Sequence, residues 1–120
     1  MDKTENKVKI KGYVGNTPEY RTNNQGKTIV TFIIGTDDLL SNEVKKQWHS
    51  IVVTSESLVS RVRAEIVKGS RIELVGVLYY HKANTDKYYQ KTKAEIIVGT
   101  TGSISVLNQE TVTPPVSYQD

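Results

Sequence analysis

What most limits how this chain can fold is a series of period-two segments interrupted by one segment of helical period. Val8, Ile10, Gly12 and Val14 alternate with Lys7, Lys9, Lys11 and Tyr13, the pattern of a strand with one buried face and one lysine-rich face in water. Residues 28–36 (TIVTFIIGT) and 47–54 (QWHSIVVT) are β-branched and apolar, and read as a second and third strand. Between Ser57 and Lys68 the period changes. Leu58, Val59, Val62, Ile66 and Val67 fall on one helical face, with Ser55 or Ser57 at its start and Gly69 at its end. Residues 70–80 (SRIELVGVLYY) and 91–98 (KTKAEIIV) give a fourth and fifth strand, which residues 103–107 extend. The polar stretches 16–26, 37–46 and 81–90 read as loops. Residues 108–120 contain Pro114-Pro115 and few apolar side chains, and read as a flexible tail.

The order is therefore β-β-β-α-β-β. Five strands in an open sheet leave two edges exposed, so closure into a small barrel is expected. An all-β, five-stranded barrel with one helix between strands 3 and 4 is the OB fold, here expected over residues 1–107. An open antiparallel sheet covered by one helix is the alternative.

Composition narrows the function. The 120 residues suit one domain, and 37% hydrophobic content supplies one modest core. There is no cysteine, so disulfides and thiolate chemistry are excluded, which fits a reducing compartment such as the cytoplasm. The charged opening from Met1 to Lys7 is not expected to be a signal peptide, and no apolar stretch has the length of a membrane span. The formal net charge is +3, and every Lys and Arg lies between Lys3 and Lys93. A basic body followed by a base-free tail is compatible with a polyanionic partner.

Catalysis is hard to place. Of the two histidines, His49 shares a strand face with Ile51 and Val53 and reads as packed or interfacial, and His81 as a surface residue. No cluster of His, Cys and carboxylates has metal-ligand spacing. Asp37-Asp38 is an acid pair whose members would point to opposite sides of a strand, or keep a loop soluble. No glycine-rich phosphate cradle opens a helix. Neither an enzyme nor a cofactor or metal site is expected.

Three groups of residues suit nucleic acid. Trp48, the only tryptophan, shares its strand face with Ser50, Val52 and Thr54. That suits stacking on a base, or packing at a sheet margin or subunit interface. Tyr79, Tyr80, Tyr88 and Tyr89 are interleaved with Lys82, Lys87 and Lys91 in thirteen residues that read as a β-hairpin. Rings for stacking and ammonium groups for phosphate are what sequence-tolerant single-strand binding requires. The same rings would also stabilise the hairpin by cross-strand contact. Lys7, Lys9 and Lys11 line one face of the first strand, and Arg21 is a further phosphate candidate; a plain solvated face is the alternative for the lysines.

These residues carry a resemblance. Asn6-Lys7-Val8 with Gly12, Gly15, Pro18-Glu19 and Arg21, then Gly35-Thr36, Trp48-His49, Lys68-Gly69-Ser70, Gly76 and Lys93-Ala94-Glu95-Ile96, resemble the bacterial single-stranded DNA-binding proteins over about residues 6–107. The resemblance implies an OB fold, a homotetramer (or a dimer), and sequence-tolerant binding of single-stranded DNA in replication, recombination and repair. It puts Trp48 at a stacking position and His49 at a structural or subunit contact. Three positions where the family usually carries aromatics hold Leu40, Thr54 and Ala83 here. The family's acidic tip, which recruits other replication proteins, has no match in Pro115-Val116-Ser117-Tyr118-Gln119-Asp120. Residues 69–83 also resemble primosomal replication protein N, a dimeric OB adaptor that binds single strands and a helicase.

Overall fold

A computed structural model describes residues 4–84 and 90–107. Seven strands and one helix follow in order: β1 (Val8–Val14), β2 (Glu19–Thr22), β3 (Thr28–Leu40), β4 (Glu43–Val53), α1 (Glu56–Glu65), β5 (Arg71–Asn84), β6 (Gln90–Val98) and β7 (Ser103–Val106). Five of the strands close on one another in the cycle β1-β3-β4-β6-β5-β1. Every neighbour in that cycle is antiparallel except β4 and β6, which run parallel through Ile51–Ile96, Val52–Ile97 and Val53–Val98. The chain is thus a mostly β, closed five-stranded barrel. Its helix follows the third barrel strand and precedes the fourth.

The period-two pattern is what fills the barrel. Val14, Val30, Phe32, Ile34, Ile51, Val53, Ile72, Leu74, Ile96 and Val98 all point inward and are buried. Each such side chain contributes about 1.5–3 kcal/mol relative to exposure. Val59, Val62 and Ile66 from the helical face close one end of the core, with Leu58 packed against it. Arg61 reaches from α1 to the carbonyl of Ile104 in β7 and fixes that end.

Five of the expectations from the sequence change. The helix stops at Glu65, three residues early: Ile66 is already extended and turns its side chain into the core. The turn that follows is closed by Val67 N–H donating to the Ser70 hydroxyl and by Gly69 at φ +94°. The loop at 16–26 contains β2, which pairs along β3 from Glu19–Thr31 to Thr22–Thr28. Residues 103–106 do not prolong β6. After a turn bonded from Gly102 to Gly99 they form β7, which pairs with β5.

The largest change is at 37–46. This segment is not a loop but the outer half of a β3–β4 hairpin, in register from Val30–Val53 out to Leu40–Glu43. Ser41 and Asn42, at φ +51° and +70°, make the two-residue turn, whose twist matches that of the strands. Opposite charges fall opposite each other: Asp37 faces Lys46 and Asp38 faces Lys45. The hairpin projects beyond the barrel as an arm. β5 and β6 likewise run on beyond the barrel, paired as far as Asn84–Gln90. Residues 81–84 are therefore strand rather than loop. Lys87, Tyr88 and Tyr89 lie outside the described residues, as does the 108–120 segment, and the backbone alone is described at Lys82 and Lys91.

Candidate nucleic-acid interface

The pleat sends one side of each strand into the core and the other to an outer surface. On that surface Arg71, Tyr13, Gly35 and Trp48 are successive register partners across β5, β1, β3 and β4. The two aromatics therefore share one row, on strands either side of β3, about 10 Å apart by strand spacing.

Trp48 lies flat because of two glycines. A Cβ on Gly35 would stand 2.7 Å from the Cζ3 atom of the indole, and one on Gly15 would stand 2.5 Å from it. No side chain there leaves room for the ring. Its lower face is spent on backbone, yet the residue remains 54% exposed. Lys46, two residues back on the same side of β4, holds its Nζ 5.5 Å from the ring centroid and 2.9 Å from Asp37. An exposed indole seated on glycine backbone is an arrangement suited to stacking on a planar group.

Beside Trp48, a groove of about 150 Å³ runs between β2, β3, β4 and β6, lined among others by Asn16, Arg21, Ile33, Ser50, Lys93 and Glu95. Asn16 is fixed by accepting the N–H of Ile33. Arg21 and Lys93 are the exposed cations of this groove. Tyr79 stands opposite Glu95 on the outer side of the β5–β6 hairpin, and Tyr80 stands opposite Ala94 on the other side. Both are more than half exposed. The two tyrosines cannot serve one surface, and it is Tyr79 that shares the face of the groove.

Lys7, Lys9 and Lys11 are exposed along β1 on the side of Tyr13. Lys9 lies 3.6 Å from Glu73 on β5. The three lysines thus flank the aromatic row and do not enter the groove. Sequence reasoning passed over Tyr13, Lys46 and Lys93. Tyr13 had a usable signal, its place on the same strand face as Lys9 and Lys11. Lys46 had none once residues 37–46 were read as a loop. Of the three positions expected to lack aromatics, Leu40 is at the tip of the arm and Thr54 leaves β4 on the helix side.

His49 is half-buried on the inner side of β4 and bonded to Thr36 at 2.9 Å. The Thr36 hydroxyl donates to Asp38 at 2.7 Å, so its single proton is spent and it must accept from His49 Nε2–H. Gln47 donates to the same Asp38 oxygen at 2.7 Å. These bonds, from Thr36 first and Gln47 second, lower the Asp38 pKa below its ordinary 3.8. The proton order is opposite to that of an activated nucleophile, in which the histidine accepts from the hydroxyl. The cluster is a brace at the root of the arm. Among the described residues no group of three His, Cys, Asp or Glu could hold a metal ion.

A closed five-stranded barrel with its helix between the third and fourth barrel strands is the OB class of fold, and comparison narrows it. The profile of the Single-strand binding protein family matches residues 5–104; the chain belongs to that family. It is 35% identical over 99 residues to the single-stranded DNA-binding protein of Rickettsia felis, and 30% identical over 99 residues to that of Rhizobium meliloti. Those matches cover 78% of this chain, and 65% and 57% of the relatives. The chain spans just under two-thirds of the length of the Rickettsia protein. Among solved structures, the Plasmodium falciparum SSB in complex with ssDNA superposes with a TM-score of 0.81 at 28% identity, covering 89% of this chain and 98% of that one. Yeast mitochondrial Rim1 shares the fold, with a TM-score of 0.70 at 17% identity over 89% of this chain and 97% of its own. Among the described residues, no helix is long and apolar enough to cross a membrane.

Proposed function

We propose that this protein binds single-stranded DNA without strong sequence preference and performs no catalysis. The strand would cross the outer face of β1, β3, β4 and β6. Trp48 and Tyr13 stack bases, Tyr79 extends the track onto the hairpin, and Lys46, Arg21 and Lys93 neutralise phosphates. The lysines at 7, 9 and 11 act as flanking charge. The observation that carries this reading is Trp48: a half-exposed indole seated on Gly15 and Gly35 in the middle of a barrel face, in a chain of the single-strand binding family. Stacking contributes about 1–3 kcal/mol per base and is indifferent to base identity. A role in replication, recombination and repair in the cytoplasm, as a homotetramer, follows the family's pattern and belongs to the same proposal.

Titration with oligothymidylate at low salt tests it through Trp48 emission. Quenching that saturates, and that weakens steeply as salt rises, is expected. No change in emission at the lowest salt contradicts the proposal. A second reading, an adaptor that docks another protein, is favoured by the arm, where Leu39 and Val44 stand opposite each other at 70% and 67% exposed. It predicts weak DNA binding that the Leu39→Ser, Val44→Ser variant leaves unchanged.

A further inference from the structure

The three groups at the centre of the face are arranged in a line. Asp37 and Lys46 are register partners on β3 and β4, and Gly35 and Trp48 are the next outward-facing pair toward the barrel. The ammonium of Lys46 is shared between the Asp37 carboxylate at 2.9 Å and the indole, over whose ring it sits 5.5 Å from the centroid. The same ring packs on Gly15 and Gly35. So the cation stands over an indole whose exposed surface, 54% of the residue, is what a base would use. The carboxylate, 62% exposed at its side chain, also stands where phosphates would pass.

We infer that Asp37 is a specificity-tuning residue that latches Lys46 over Trp48, so that single-stranded DNA gains the stacking face only by drawing Lys46 off the carboxylate and onto a phosphate. This rests on the proposed DNA-binding role of the face and adds to it a built-in opposing charge. A cation–π contact and an exposed ion pair are each weak. The latch therefore lowers affinity modestly and is released without cost to the fold. A ligand lacking a phosphate to receive Lys46 leaves it in place, so the device discriminates against neutral planar molecules. Salt weakens the Lys46–Asp37 pair and the phosphate contact together, so the latch shows itself best at low ionic strength.

The test is a double-mutant cycle. Oligothymidylate affinity and its salt dependence are measured for the wild type, Asp37→Asn, Lys46→Met and the double variant. Asp37→Asn is expected to tighten binding by about fivefold at low salt. Lys46→Met is expected to reduce the slope of log affinity against log salt by about 0.7, the loss of one phosphate contact on a single strand. In the Lys46→Met background the gain from Asp37→Asn should shrink below about twofold. An equal gain in both backgrounds means that Asp37 merely repels phosphate, and overturns the latch, as does no gain at all. The cover is also read without DNA. Acrylamide quenching of Trp48 should rise in both single variants, and unchanged quenching in Lys46→Met overturns the placement of the cation. If quenching rises as expected but no variant binds oligothymidylate, the cover stands and the DNA-binding reading is what fails.

Discussion

Trp48 owes its posture to residues that carry no side chain of their own. The prediction at this scale is that Gly35→Ala lifts the indole, because the new methyl would stand 2.7 Å from Cζ3. Oligothymidylate binding should fall about tenfold, comparable to the loss of one stacked base, with the barrel's circular dichroism retained. Unchanged affinity would mean that the ring needs no glycine bed. Asp38 gives a second test. Its folded pKa lies below the ordinary 3.8, through hydrogen bonds from Thr36 and then Gln47. A group depressed on folding contributes stability that is present above its unfolded pKa and is lost as pH falls through the folded value. NMR titration of the Asp38 carboxyl should therefore give a midpoint below 3.8, and Thr36→Val should raise it. A midpoint at or above 3.8 in the native chain would remove the brace. Trp48 was legible as a base-stacking candidate from its polar strand face. The glycine bed was not, because Gly15 and Gly35 come beneath the ring only after β1, β3 and β4 align.

Elements show where sequence patterning stops working. Strand β1, the inner half of β3, β4 from Gln47 and the start of β5 follow from period-two runs of β-branched residues, and the structure has them. The outer half of the β3–β4 hairpin did not follow, because Asp37, Asp38, Lys45 and Lys46 are poor strand formers taken singly. What holds them in strand is the cross-strand ladder that continues from the barrel out to the Ser41-Asn42 turn and sets Asp37 opposite Lys46. The signal was present as a mirrored order, Asp-Asp-Leu before the turn and Val-Lys-Lys after it, but it is visible only once the turn is located. Helix α1 was legible in position and face and misjudged at its end, where burial of Ile66 outweighs helical continuation. The tyrosine hairpin was legible as a hairpin, but alternation splits its first two rings. The expected outcome is that Tyr79→Ala weakens oligothymidylate binding by about fivefold or more, while Tyr80→Ala changes it less than about twofold. Equal losses would put both sides of the hairpin against the strand.

For the whole molecule, one core must hold a barrel whose two hairpins extend beyond it. Leu74 is fully buried at the centre of that core. Leu74→Ala should cost about 2–5 kcal/mol in urea unfolding, and should leave Trp48 quenching by oligothymidylate unchanged where the variant remains folded. Loss of quenching in the folded variant would tie the outer face to core packing more closely than the register implies. Closure of five strands into a barrel was inferred from strand number and the cost of open edges, and the chain closes in the order β1-β3-β4-β6-β5. The central claim is that a single strand lies on the outer face with Trp48 at its middle. Ultraviolet crosslinking of bound oligothymidylate, followed by peptide mapping, tests it most directly. Crosslinks at Trp48, Tyr13 and Tyr79, with Tyr80 and the helix side unmarked, are predicted. Crosslinks confined to α1, the β2–β3 turn or Tyr80 would contradict the account.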